Sequence, residues 1–298
     1  MSGSVQQQAS AAGVADSLPT ISVVTPSKDQ RPFLESTMRS VLRQDYEALE
    51  YVVVDGGSTD GSAELIEAQA GRLAHWVSEP DEGYADAINK GFAHTTGEIM
   101  CWINSSDMHY PWTLATVGRI FRELPEVDWL MGLPSYFSSR DDMPKSIEGG
   151  VFNIYDFLAG NYRWVQQESC FWRRSLWERA GGQLDTSLKH AADFDLWLRF
   201  MPLAPLYHAG TVLGGFRDHG DRLGTAQAYD SEARHLFDEF ARRQGRQTLA
   251  RARLLRLGGI SGRRSRLVGR VLNKAGVWPW YRHPHVYYDF QRDTWLIH

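Results

Sequence analysis

Apolar residues fall into two alternating patterns along the first half of the chain. Ile21-Ser22-Val23-Val24-Thr25 and Tyr51-Val52-Val53-Val54 are short β-rich runs, one stopped by Pro26 and the other by Asp55-Gly56-Gly57. Runs of this kind predict strands buried on both faces. Between them Leu34, Met38, Val41 and Leu42 recur at helical spacing, so strand, helix and strand predict one right-handed βαβ unit. The pattern then repeats, with Ser62 capping a helix that carries Leu65 and Ile66, a strand over 74–77, a helix over 85–92 and a strand over 99–103. Alternation of this sort predicts an α/β fold with a mostly parallel central sheet flanked by helices. Ligands of such sheets bind beyond the carboxyl ends of the strands, so the loops after Thr25, Val54, Val77 and Ile103 are expected to share one crevice.

Past Tyr136 the rhythm becomes mixed. A strand is expected over 168–172, a helix over 175–180 closed by Gly181-Gly182, and a further helix over 192–201. These elements are expected to wall the acceptor side of the crevice. From Arg242 to Arg282 every charged residue is basic, which sets this stretch apart from the rest. Residues 1–18 lack the basic and apolar regions of a signal peptide and are expected to be a disordered tail.

Composition narrows the classes. The 298 residues, 43% hydrophobic, suffice for one large α/β domain with an appended segment or for two medium domains. The balance of 32 basic against 36 acidic residues argues against a nucleic-acid partner, which needs an excess of Lys and Arg against phosphates. Only Cys101 and Cys170 are present, both in apolar surroundings, so neither a disulfide framework nor a cysteine-ligated zinc is expected and a reducing, cytoplasmic compartment is favoured. No apolar run is long enough to cross a bilayer.

Each predicted strand end delivers polar residues: Thr25-Pro26-Ser27, Asp55-Gly56-Gly57-Ser58-Thr59-Asp60, Glu79-Pro80-Asp81 and Asn104-Ser105-Ser106-Asp107. Taken alone, the second is equally a plain turn with a helix cap. Four polar turns on one sheet edge describe a ligand site. The carboxylates Asp55 and Asp86 would accept hydrogen bonds from a base imide or ribose hydroxyls, which points to a nucleoside, with Lys90 nearby on the same predicted helix. Asp107 stands where a strand meets a turn, and Mg²⁺-like cations are held by one or two carboxylates together with substrate phosphates.

The stretches TPSKDQRPFLESTMRSVLRQDYEALEYVVVDGGSTDGS, SEPDEGYADAINKGF, WINSSD and SCFWRRSLWERAGGQLDTSLKHAADFDLWLRF resemble, in order, the blocks of family 2 glycosyltransferases with the GT-A (nucleotide-diphospho-sugar transferase) fold. The resemblance runs from about residue 20 to 200. It implies inverting transfer of a sugar from a UDP-, GDP- or dTDP-linked donor. Thr25, Pro26, Ser27, Asp55, Asp86, Lys90, Asn104 and Ser106 are then expected around the donor, and Asp107 as ligand of Mg²⁺ or Mn²⁺. Many relatives carry a second acid at the turn, where this chain has Ser106. Phe216-Arg217-Asp218-His219 resembles the family's Phe-Arg-x-His element, which places His219 near the metal or diphosphate and lets Arg217 assist. A loop role for His219 is the alternative.

Inversion needs a general base for the acceptor hydroxyl, and Asp193 and Asp195 are the candidates. On a helix, residues two apart point in different directions, so one must be chosen. Asp195 has Arg199 four positions on, a spacing that explains it as an ion pair, while Asp193 has Trp197 there. If the helix starts earlier, Lys189 can pair with Asp193. The family block matches its catalytic carboxylate to the first of the two acids, and Asp193 is taken as the base. Gln167 and Glu168 either line the acceptor site or pair along a strand edge, and Glu168 is given no catalytic role. Tyr162, Trp164, Phe171 and Trp172 offer faces for sugar stacking, but core packing explains most aromatics.

The expected organisation is a tail over 1–18, a GT-A domain over 19–240 divided near 135 into donor and acceptor halves, and a basic, helical C-terminal extension over 241–298. That extension reads as a solvated face, as a segment drawn to anionic lipid with Trp278, Trp280 and Tyr281 at the interface, or as a nucleic-acid contact, in that order. The second reading places the protein peripherally on the inner face of the membrane, with a glycan or lipid-linked acceptor in surface polysaccharide or glycolipid synthesis. Two other functions compete. A sugar-nucleotide-binding partner that has lost catalysis is motivated by Ser106, and a nucleotidyltransferase would need the glycine-rich phosphate loop that Thr25-Pro26-Ser27-Lys28 lacks.

Overall fold

A computed structural model describes residues 17–138, 144–147, 153–158, 165–218, 223–257 and 284–298. In it the four apolar runs are β1 (Ile21–Ser27), β2 (Leu49–Asp55), β3 (His75–Ser78) and β4 (Ile99–Trp102). They lie side by side in the order β4-β1-β2-β3, all parallel. The helices between them are α1 (Arg31–Leu42), α2 (Ser62–Glu67) and α3 (Tyr84–Ala93). Helix α1 buries Leu34, Thr37, Met38 and Val41, the stripe that its apolar spacing dictates. β1 runs through Pro26 rather than stopping there, in register with Val54 of β2. Its ladder with β4 has already ended at Val24 opposite Trp102, so no strand on that side is left asking for the N–H that proline lacks.

One local expectation is corrected. Ser62 is not the cap of α2: that position belongs to Gly61, with φ of 89°, and no side chain caps the helix. Instead Asp60 accepts the Ser62 N–H at 3.0 Å through Oδ1 and the Arg31 N–H at 2.8 Å through Oδ2. One carboxylate thus ties together the starts of α1 and α2.

The second half adds β5 (Met108–His109), α4 (Thr113–Glu123), β6 (Trp129–Met131), β7 (Ser135–Ser138), β8 (Pro144–Ile147), α5 (Ile154–Leu158), β9 (Cys170–Arg173) and α6 (Arg174–Arg179). It continues with α7 (Ala192–Phe200), β10 (Tyr207–Ala209), β11 (Gly214–Asp218), α8 (Leu223–Arg243), α9 (Arg246–Leu257), β12 (His285–Asp289) and β13 (Thr294–Ile297). The central sheet extends past β4 as β9, β6, β10, β12 and β13. β9 runs antiparallel to both β4 and β6. A small second sheet, β5-β11-β7-β8, stands beside it. The C-terminal extension is helical in α9, but its final residues, beyond the helical expectation, form a hairpin whose β12 pairs in parallel with β10 of the central sheet. In α9 Ala252 is buried and Arg251 donates to the Tyr155 hydroxyl at 3.2 Å. Part of that basic helix is therefore a packing face. The aromatic residues Trp278, Trp280 and Tyr281 lie outside the described residues, as do Tyr162 and Trp164 and most of the expected N-terminal tail.

Four fully buried tryptophans, Trp102, Trp129, Trp172 and Trp197, form one cluster of ring contacts in the core. Trp197 of α7 stacks on Trp129 with ring centroids 5.3 Å apart and on Trp102 at 6.0 Å. It fixes α7 to strands β4 and β6. Phe171 and Trp172 are core residues, not sugar-stacking faces. Replacing Trp197 with Ala is expected to destabilise the fold by about 3–5 kcal/mol, seen as a lower urea midpoint. A midpoint within experimental error of the wild type would contradict this reading of the cluster.

Candidate functional site

The carboxyl ends of β1, β2 and β3 place Ser27, Asp55 and Ser78 in one row across the sheet, each directly opposite the next. Asp55 is fully buried. Its Oδ1 accepts the Ser58 hydroxyl at 2.5 Å, and Oδ2 accepts the Ser58 N–H at 2.9 Å and the Ser78 hydroxyl at 2.7 Å. The residue therefore builds the turn at the strand ends. Lys28 donates to the Gly56 carbonyl at 2.7 Å. Ser58 accepts the Asp29 N–H and Asp29 accepts the Thr59 N–H, at 2.8 and 2.9 Å, so the loops after β1 and β2 are fixed against each other. Thr25 is buried against the Tyr51 hydroxyl at 3.0 Å, and Pro26 is buried next to it. The Ser27 hydroxyl is buried with no hydrogen-bond partner, a group left wanting one.

Asp86 and Lys90 of α3 are paired with each other, at 3.1 Å, and Glu79 lies 3.5 Å from the same ammonium. Burial pushes the Asp86 carboxyl up, but the Glu82 N–H and the bond and charge of Lys90 together hold it below its ordinary value. This pair lies at the rim, where each partner is partly exposed.

The turn after β4 is built more tightly. Asp107 is fully buried. Its Oδ1 accepts the Arg217 backbone N–H at 2.9 Å and Oδ2 accepts Asn104 Nδ2 at 3.2 Å. Behind the turn, Thr37 of α1 donates to the Ser105 and Asp107 carbonyls at 3.0 and 2.7 Å, while Arg217 Nε donates to the Ser106 carbonyl at 2.5 Å and Nη2 to Ser36 at 2.9 Å. Arg217, itself buried, thus backs the turn. Burial pushes the Asp107 carboxyl up to about 6 in spite of the Arg217 N–H, Asn104 and the guanidinium charge. A buried carboxylate in that condition is stabilised by an added positive charge. Each Asp107 oxygen has one hydrogen bond, and among the described residues no group of three or more His, Cys, Asp or Glu could hold a metal, so a cation here would need ligands from substrate or water beside this one carboxylate. His219 lies outside the described residues.

Glu168 sits between this turn and α7. Asn104 Nδ2 also lies 3.4 Å from Gln167 Oε1, and Gln167 Nε2 donates to the Trp102 carbonyl at 2.5 Å. Glu168 Oε1 is buried with no hydrogen-bond partner, and burial, then the Asp107 charge, push its carboxyl well above its ordinary value. A smaller push comes from Asp193. The 167–169 turn leaves no room on β11: a Cβ on Gly214 would stand 1.9 Å from the Glu168 carbonyl. Only glycine fits there.

Asp195 makes the intrahelical ion pair with Arg199, at 2.9 Å. Lys189 reaches the Glu82 carbonyl, at 3.4 Å. Asp193 accepts the Tyr229 hydroxyl at 3.3 Å through Oδ2, and its Oδ1 is buried with no hydrogen-bond partner. Burial pushes its carboxyl up to about 7. Of the two acids, Asp195 is engaged by Arg199, whereas burial brings Asp193 to a proton affinity near neutrality, the range that suits a general base. Glu168, Ser78, Tyr229 and the backing role of Arg217 were not assigned from sequence. Their partners are distant in the chain, and no local spacing announces them.

Comparison with known proteins bears on this arrangement. The family model "Glycosyl transferase family 2" matches residues 22–201. The chain belongs to glycosyl transferase family 2. An uncharacterized glycosyltransferase of Mycobacterium tuberculosis is 32% identical over 186 residues, 61% of this chain and 69% of that one. Among solved structures, S. aureus TarS 1–349 in complex with UDP-GlcNAc superposes with a TM-score of 0.60 at 17% identity, covering 74% of this chain and 66% of that one. A second S. aureus TarS structure is matched over 43% of its chain. The mannosyltransferase PcManGT from Pyrobaculum calidifontis, in complex with GDP-Man and Mn²⁺, gives 0.58 at 21% identity, covering 89% of this chain and 83% of that one. The family 2 glycosyltransferase described here thus shares its α/β architecture with both, a mostly parallel sheet flanked by helices. No helix of the described residues is long and apolar enough to cross a membrane.

Proposed function

We propose that this glycosyltransferase moves a sugar, with inversion at the anomeric carbon, from a nucleoside-diphosphate donor to a hydroxyl of a glycan or lipid-linked acceptor, with Mg²⁺ or Mn²⁺ required. The observation that carries this reading is the buried carboxyl series Asp107, Glu168 and Asp193. Its two ends differ in role: Asp107 is locked into a turn by Asn104 and Arg217, and Asp193 keeps one oxygen unpartnered.

Thr25, Pro26, Ser27 and Asp55 form the floor for the nucleoside, with Asp86 and Lys90 at its rim and Asn104 and Ser106 beside the diphosphate. Asp107, joined by His219, would hold the divalent cation, which when bound supplies charge neutralisation for the departing diphosphate. Asp193 removes the proton from the attacking hydroxyl, so that its oxygen displaces the diphosphate from the face opposite the bond being broken. Burial and then the Asp107 charge push the Glu168 carboxyl well above its ordinary value, which disfavours a second negative charge against the leaving group. Ser106 bears on the turn through its backbone carbonyl, bonded to Arg217, so the absence of a second acid there leaves the Asp107 contact intact. That favours an active enzyme over a partner that has lost catalysis. The resemblance to structures that hold UDP-GlcNAc and GDP-Man with Mn²⁺ supports a sugar-nucleotide donor. The basic stretch supports a cytoplasmic enzyme lying peripherally on an anionic membrane face, in surface polysaccharide or glycolipid synthesis.

A donor panel tests the proposal. UDP-, GDP- and dTDP-sugars are incubated with the protein, with and without Mn²⁺, and released nucleoside diphosphate is measured. One base class is expected to give metal-dependent hydrolysis. Metal-independent release, or none with any donor accompanied by no nucleotide binding, would overturn it.

A further inference from the structure

The start of α7, which carries Asp193, is held from outside by α8. Glu232 accepts the backbone N–H groups of Lys189, His190 and Ala191 at 3.1, 2.8 and 2.6 Å. Three positions earlier on the same helix, Tyr229 donates its hydroxyl to Asp193 Oδ2 at 3.3 Å. Residues at that spacing share a helix face, so one face of α8 meets both the Asp193 carboxyl and the backbone leading into its helix. Tyr84 of α3 takes the Ala192 N–H at 2.8 Å. Two of the N–H groups that no helical carbonyl can satisfy at this helix start, those of Ala191 and Ala192, are thereby partnered by two other helices. Asp193 Oδ1 is left buried without a hydrogen-bond partner. We propose that Tyr229 and Glu232 are a positioning pair that holds the Asp193 carboxylate in its orientation and charge state, a role that rests on Asp193 being the base.

The two members act with opposite signs. Tyr229 donates to the carboxylate and so favours its charged form, whereas the Glu232 charge disfavours it. Among the described residues, the other titratable groups that act on Asp193 are Tyr84, Glu168 and Cys170. Burial pushes all three, and Tyr229, above their ordinary values, which keeps the two tyrosines and Cys170 neutral around pH 7 and disfavours the charged form of Glu168. Glu232, in spite of burial, is held below its ordinary value by the three backbone donors. It is the charged member of the group.

The test titrates the full chain, labelled with carboxyl-¹³C aspartate, by NMR, with Asp193→Asn assigning the resonance. The wild-type midpoint is expected at about 7. Tyr229→Phe is expected to raise it by about one pH unit, the worth of a hydrogen bond to a charged group. Glu232→Gln is expected to lower it, and Glu232→Asp to leave it in place. A site merely loosened by substitution admits water and lowers the midpoint, so a fall or no change in Tyr229→Phe overturns the proposal. Near-UV circular dichroism of the buried tryptophans reports whether each variant is folded. Should Tyr229→Phe fail that check, the Gln and Asp variants at position 232 decide, and equal midpoints in the two overturn the proposal. The readout needs no substrate. If the midpoints move as stated while Asp193→Asn still transfers sugar, the base assignment falls and the pair stands.

Discussion

Replacing Asp193 with Asn is expected to lower sugar transfer by about 10²–10⁴-fold, the range for a lost general base, while nucleotide affinity stays unchanged. The amide is nearly isosteric and still accepts the Tyr229 hydroxyl, but it takes no proton from the acceptor. Transfer by the wild type should fall as pH drops through about 7, where burial has placed this carboxyl, and that acid limb should vanish in the variant. Stability moves the other way. The folded-state value lies above the ordinary 3.8, so the folded chain holds the proton more tightly than the unfolded one. Its contribution is full below the unfolded value and is lost as pH rises through about 7. Asn carries no such loss, and the variant should be the more stable protein above neutrality. Retained transfer at wild-type rate would end the assignment.

Asp107→Ala is expected to abolish the metal dependence of nucleotide binding and to lower transfer by about 10²–10³-fold, the usual worth of a charge-stabilising group at the leaving oxygen. Two losses combine. The carboxylate that would meet the cation disappears, and the Arg217 N–H that donated to Oδ1 is left buried without its acceptor. Asp107→Asn separates them, since an amide oxygen still accepts from Arg217 and keeps the turn in shape. Both variants should bind nucleoside diphosphate equally with and without Mn²⁺, whereas EDTA should weaken binding by the wild type alone. Calorimetry with each nucleotide provides the measurement, and a metal effect of wild-type size in Asp107→Ala would remove Asp107 from the site.

The donor side was legible because its physics is local. β1, β2 and β4 are short β-rich runs, and each is followed by residues that form turns, so the row of strand ends could be read from the chain. The Asp195–Arg199 ion pair was also local, being an i,i+4 contact. What escaped depends on distance along the chain. The strands of the small sheet are as short as the two residues of β5, too short for alternation to register. Hairpin β12–β13 gains its place by pairing with β10, and Tyr229 meets Asp193 across two helices. Asp55 looked like a nucleoside ligand or a turn former and is geometrically the second, a result compatible with the first.

The antiparallel strand β9 has a consequence for how the molecule assembles. β1 to β4 pair among themselves, so the donor half of the sheet has all its strands once about a third of the chain has left the ribosome. β6 follows but has no edge to join, because only β9 lies between it and β4. Four residues, Cys170–Arg173, must therefore arrive before the two parallel groups become one sheet. Until then β4 is an open edge on a growing chain, the kind of surface that invites pairing with a neighbour. The strand order thus makes Cys170–Arg173 the stitch that joins β6 to the first four strands, and helix α7, some twenty residues further on, docks through Trp197 onto the surface those strands form.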